Sequence, residues 1–284
     1  SSYTSLTSAT ATAPSNTSQV LASMQGSGNA SDPYIITNVE ELQAMNADRD
    51  AHFKLGNNID ASPTQTWNNG SGFTPVATYS NRFEGSLDGD GKTISNLYIY
   101  NASSWASLFT STSPNARIHD LNVQNADITG NYYAAILVGL NTGPIRDGQY
   151  TGGVVGLADG YPGGVIPADY NGYDENSPIK DVTAVDIIHN SAIAGGVVGY
   201  GAGGPYTDLS AQGTILSTQG TASSAEPSDT EKQGADMTNQ ADVTITATGN
   251  NEVGGLVGFL DVGHIQDGFA TGNVKGDTNV GGLL

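Results

Sequence analysis

Apolar and polar positions alternate in short strokes along most of this chain. FEGSLDGDGKTISNLYIYN, IHDLNVQNADITG at 118–130, IKDVTAVDIIHNSAIAG at 179–195 and ADVTITATG at 241–249 all do so, with Ile or Val recurring at alternate positions. That is the two-residue period of a strand with one buried face. The segment DPYIITNVEELQAMNAD changes period. Tyr34–Thr37 reads as a strand, and a short helix follows. Asn38 is its N-cap, Glu41 the capping-box partner, and Val39, Leu42 and Met45 its one apolar face. HFKLGNNIDAS reads as another short strand and a turn. Residues 1–30 carry no charged side chain and are mostly Ser, Thr, Ala and Asn. They read as a flexible leader, or as an extended segment that contacts a partner.

A second pattern overlies the first. AILVG at 135–139, GGVVG at 152–156 and 195–199, and GGLVG at 254–258 share small, apolar and Gly positions, and GGLL at 281–284 begins another copy. GPIRDGQYTG at 143–152 matches GHIQDGFATG at 263–272. The step from Ile118 to Ile145 is 27 residues, and that from Ile94 to Ile118 is 24. Repeats of this length bury their apolar face by stacking on copies of themselves. The expected fold is therefore all-β: a right-handed parallel β-helix, or solenoid, with a short N-terminal α-helical cap. Its divisions are a leader at 1–30, a capping region at 31–80 and repeats at 81–284. Insertions at 157–178 and 201–236 interrupt the repeats, and the chain stops in mid-repeat at Leu284.

GGLVGFLDVGHIQDGFATGNVKGDTNVGGLL at 254–284 resembles the GLUG-motif family of secreted and surface proteins. The upstream segments from DPYIITNVEELQAMN to ASLFTSTSPNARIHDLNVQNADITG look like the region that precedes such repeats. The resemblance covers about 28–156, 179–199 and 237–284. Ala134 and Ala135 depart from the usual Val-Gly. The resemblance implies an adhesin-like, non-catalytic segment and transfers no active-site residue.

Charge narrows the function classes. Nine Lys plus Arg face 28 Asp plus Glu, a formal net charge of -19. Such a surface repels nucleic acid and anionic lipid. No apolar run approaches the ~20 residues that cross a bilayer, so membrane insertion of this segment is not expected. The absence of Cys excludes disulfides, thiolate metal sites and a cysteine nucleophile. Scarce bases with abundant Asp look like proteins adapted to high salt, where counterions screen repulsion.

Candidate chemistry is sparse. The first insertion gathers Tyr161, Tyr170, Tyr173, Asp174 and Glu175, a loop whose aromatic faces could stack on sugar rings. Asp88 and Asp90 in LDGDG are candidate ligands of a structural calcium, although turn formation accounts for the motif. No other cofactor is expected. Glycoside hydrolysis would need carboxylates ~5–9.5 Å apart. Lyase chemistry on acidic sugars would need clustered bases, yet Lys92, Arg117, Arg146, Lys180 and Lys275 are scattered along the chain. Sequons occur at Asn16, Asn29, Asn69 and Asn101.

These readings point to a non-catalytic, extracellular or cell-surface segment with an adhesive or structural role. Its partner would be an extracellular glycan or protein, or another copy meeting the leader or the open end. A virion or filament subunit from a halophilic system is the first alternative. A secreted polysaccharide-active enzyme is the second.

Overall fold

The computed structural model describes residues 12–101, 105–130 and 134–158, with side chains as far as Gly148, and beyond these the strands between 166 and 281, with the side chain of Ile265. Helix α1 is Thr17–Ser23, strand β1 Tyr34–Ile36 and helix α2 Val39–Ala44. Short strands follow: β2 His52–Leu55, β3 Ile59–Asp60, β4 Ser86–Asp88, β5 Thr93–Ser95 and β6 Tyr98–Asn101. Next come β7 Phe109–Ser111, β8 Arg117–His119, β9 Asn122–Gly130, β10 Val138–Leu140 and β11 Ile145–Ala158. Further along lie β12 Ile166–Tyr173, β13 Ile179–Ser191, β14 Ile193–Gly195, β15 Val198–Gly204, β16 Tyr206–Thr207 and β17 Ser210–Ser217. The later strands include β18 Val243–Ala247, β19 Glu252–Gly254, β20 Val257–Val262 and β21 Ile265–Gln266.

The N-terminal helices form for local reasons. Asn38 Oδ1 accepts from the Glu41 amide at 2.9 Å. Glu41 reaches back to the Thr37 amide and hydroxyl at 2.6 and 2.8 Å, one residue beyond the cap. Both ends of the first turn thus have their donors satisfied. Helix α1 falls within the stretch that reads as leader. Asn16 caps it by accepting from the Gln19 amide at 3.1 Å. Its buried Leu21, and Met24 at its end, join the core beside α2.

The described strand pairs run parallel. One apolar row crosses them: Tyr34, Phe53, Leu87, Ile118, Ile145, Ile179, Tyr206 and Ile265 stand opposite one another in turn. Phe53, Leu87, Ile118, Ile145 and Ile265 are buried. A second row joins Ile59, Ile94 and Val123. Each such side chain contributes roughly 1.5–3 kcal/mol when fully buried, which is what binds strands as short as β3 and β5.

The single β-helix expected from the repeats is corrected. The described strands fall into several parallel sheets, of 16, 2, 3 and 3 strands; the largest is branched, and the sheets include a curled half-barrel. With α1, α2 and two 3-10 segments at Met45–Ala47 and Ser62–Gly70, the chain has a mixed α/β character with few helices. The physical reason lies in strand length and register. β9 pairs with both β5 and β6, and β11 with both β8 and β9. Register shifts interrupt the β11–β13, β12–β15, β13–β17 and β15–β20 pairs. A constant step along the sequence therefore does not translate into a constant step in space. Ile94 stands opposite Val123, and it is Leu87 that meets Ile118.

The motifs are redistributed accordingly. Val198 of GGVVG meets Val257 of GGLVG, as the repeat requires. GGVVG at 152–156 instead lies inside the long β11, where Val154 meets Asp127 and Ile188. Ile166, from the segment that reads as an insertion, takes the place opposite Val198.

Candidate functional site

Two places on the described surface gather polar or aromatic side chains. The first is the turn between β4 and β5. Asp88 Oδ1 accepts from the Asp90 amide at 2.8 Å, closing a local turn. Asp90 has φ 51° and Gly91 φ 69°, so the chain reverses through two left-handed residues. A Cβ on Gly89 would lie 2.3 Å from the Asp120 carbonyl oxygen and 2.4 Å from Leu121 Cα. Glycine is required there by the close approach of the next strand connection.

The turn is electrostatically self-contained. Lys54 Nζ lies 3.2 Å from Asp88 and 2.8 Å from Asp90. Lys92 also pairs with Asp90. Hydrogen bonds from Lys54 and then Lys92 hold the Asp90 carboxyl down at about 2. The same bonds, to Asp90 first and Asp88 second, raise the Lys54 ammonium above its ordinary value. His119 Nδ1 is 2.8 Å from Asp120 and 3.7 Å from Asp88. Ligand atoms of Asp88, His119 and Asp120 lie within 4.8 Å of one another. These donors fit calcium poorly: a hard cation wants several oxygens, and here one donor is an imidazole, Asp88 is already paired with Lys54, and Asp120 with that imidazole.

Register explains the gathering. Lys54, Asp88, His119, Arg146 and Lys180 stand opposite one another on β2, β4, β8, β11 and β13. Arg146 and Lys180, far apart in sequence, are thus adjacent across strands. The sequence reading missed this row because it searched for bases by local spacing. Aligning the residue after each member of the apolar row from Phe53 to Ile179 would have found it.

The second place is a cavity of about 290 Å³ beside β7. Tyr79 and Trp105 meet there with ring centroids 5.6 Å apart and planes tilted by 44°. Tyr79 is 58% exposed. Pro75 and Ala77 contribute apolar surface, and Thr78, Thr110 and Asn101 polar atoms. The guanidinium of Arg82 lies 6.0 Å from the Tyr79 ring centre and donates to Thr142 Oγ1 at 3.2 Å.

Helix α2 and the turn after it build this wall. Buried Gln43 donates to the Thr74 carbonyl and accepts from the Thr74 amide, both at 2.8 Å. Asn46 donates to the carbonyls of Thr74 and Pro75 at 3.2 and 3.1 Å and accepts from the Ala77 amide at 3.0 Å. Val76 exchanges backbone hydrogen bonds with Leu108 and Thr110 at 2.8 Å. Ala77 is held at φ 70°, a conformation that costs an L-residue roughly 1–2 kcal/mol. Strain of this kind persists where the surroundings over-determine it, as two side-chain amides do here.

The other expected site residues are placed as follows. Tyr170 and Tyr173 lie on β12, with Tyr173 opposite Gly204 of β15. Tyr161, Asp174 and Glu175 lie outside the described residues. The Asn16, Asn29 and Asn69 sequons are exposed. Asn29 also organises its own turn, its Oδ1 accepting from the amides of Ser31 and Asp32. Asn101 donates to the Trp105 carbonyl at 3.1 Å and lines the cavity. The sequence offered a weak signal for the cavity: NASSW joins a sequon to one of two tryptophans, and TYSNR places Tyr79 near a scarce arginine.

No family model matches the chain. The GLUG resemblance therefore rests on its motifs alone. Halomucin of Haloquadratum walsbyi is 38% identical over 152 residues. That match covers 50% of this chain and 2% of Halomucin. A crystal structure from Bacteroides ovatus, of a protein provisionally assigned as an immunoglobulin A1 protease, is similar with a TM-score of 0.52 and 17% identity. It covers 89% of this chain and 86% of that one. At such identity the likeness concerns fold alone, and it sets the chain beside that architecture in place of the expected solenoid.

Proposed function

We propose that this chain is a segment of a halophilic cell-surface protein with a non-catalytic, adhesive or structural role. The observation that carries this reading is the 38% identity to Halomucin. The net charge of -19 supports it, because such a surface stays hydrated and dispersed where counterions are dense. The described carboxylates at the β4–β5 turn support a structural role, since they are occupied by the chain's own lysines. Adhesion would use exposed aromatic and polar side chains.

Surface display is tested on intact cells of the source organism, by antibody labelling and by brief external proteolysis. The expected result is labelling without permeabilisation and loss of the antigen to protease. An antigen that is protected until the cells are lysed would overturn the reading.

A further inference from the structure

We propose that the Tyr79–Trp105 cavity is a binding subsite for a neutral pyranose ring. The proposal rests on the adhesive side of the reading above, and gives it a location and a ligand class.

Three features carry it. The first is size: an open depression of about 290 Å³, just below the usual range of ligand pockets, suits one ring rather than a peptide segment. The second is chemistry. A pyranose presents an apolar C–H face and a rim of hydroxyls. Tyr79 and Trp105 offer two aromatic faces, and the tilt of 44° between them makes an angled cleft rather than a closed stack. Thr78, Thr110 and Asn101 line the same space; Thr78 Oγ1 already accepts from the Asn81 amide and Asn101 already donates to the Trp105 carbonyl, so the rim is polar but partly engaged, and the aromatic pair is the main recognition surface.

The third feature is preorganisation. Gln43 and Asn46 fix the wall from Thr74 to Ala77 through five hydrogen bonds to its backbone. The ligand then need not order that wall, which reduces the entropic cost of binding. Ala77 keeps a left-handed backbone within the same wall. A purely structural loop would gain by placing glycine there.

Charge selects the neutral class. The chain carries -19 overall, which disfavours an acidic polymer at long range. Arg82, the cation beside the cavity, is already engaged with the Tyr79 ring and Thr142.

The full chain should be titrated with maltotetraose, cellotetraose and mannotetraose while tryptophan emission is followed. Trp67 is fully buried, so a saturable change reports Trp105. The expected result is a saturable response to at least one of the three. Tyr79→Ala should weaken it about five- to tenfold, as loss of one aromatic face implies. Tyr100→Ala, which removes an exposed tyrosine outside the cavity, should leave it unchanged. Equal melting temperatures of the variants exclude a folding defect. No saturable response to any of the three sugars, or an unchanged response in Tyr79→Ala, overturns the subsite. That failure with intact surface labelling leaves the surface reading standing, whereas failed labelling with intact sugar binding overturns only the latter.

Discussion

The β4–β5 turn and the Tyr79–Trp105 cavity lie close in sequence and obey opposite rules. At the turn, the described polar groups meet one another: Asp90 meets Lys54 and Lys92, Asp88 meets Lys54, and the His119 ring meets Asp120. A ligand arriving there must displace contacts the fold already makes. At the cavity, the protein spends buried amides on the wall and leaves Tyr79 exposed. A polar cluster is thus not the better candidate for recognition merely because it is charged. What matters is how much surface those internal contacts leave open: Asn101 and Thr78 at the cavity also hold protein partners, yet the Tyr79 ring stays 58% exposed.

The contrast can be broken from either side. The largest effect is expected at the turn. Gly89→Ala drives a methyl into the backbone of Asp120 and Leu121, and should cost about 2–3 kcal/mol in urea unfolding without altering sugar affinity in the folded fraction. A normal denaturation midpoint would contradict the close packing of the two connections.

Gln43→Ala should rank next. It leaves the Thr74 amide without its partner and the Thr74 carbonyl with only Asn46, at about 2 kcal/mol, and should weaken the fluorescence response to sugar as well. Loss of stability with full sugar affinity would separate the wall from the subsite.

Acid should then distinguish the two regions. Asp90 is held at about 2, below its value in an unfolded chain, so its contribution is present above the ordinary carboxylate pKa. That contribution fades as pH falls from roughly 4 toward 2. Replacing Lys54 and Lys92 by Met should flatten this part of the stability profile, read from urea midpoints at successive pH values. An unchanged slope would mean that the ion pairs do not persist in solution.

The smallest effect is expected from Ala77→Gly. Relief of a left-handed alanine offsets the added chain entropy, so stability should change by less than about 1 kcal/mol and in the favourable direction. Thermal melting measures it, and a clear loss would show that Ala77 makes a contact that outweighs its strain.

The local chemistry was legible in the sequence, and the long-range geometry was legible only in part. Asn38 and Glu41 announced α2 because capping is a matter of three residues. Ile118 and Ile145 announced a pairing because that step holds in space. Ile94 misled because alternating strokes look alike, and only burial against neighbouring strands decides that Leu87 is the partner of Ile118. The sheets were misread as one stack because strands of three and fourteen residues carry the same two-residue period. The charged row was hidden by unequal steps between its members. The cavity was hidden by its origin in separate segments, which the amides of α2 and its following turn help to hold in place.

The most direct test is amide chemical-shift mapping of the isotopically labelled full chain during titration with the tetrasaccharide that changes Trp105 emission. The account predicts saturable shifts at residues 74–79 and 105–110, with the 86–92 and 117–120 connections unmoved. Shifts centred on the Asp88–Lys92 turn, or none at the cavity, would contradict it.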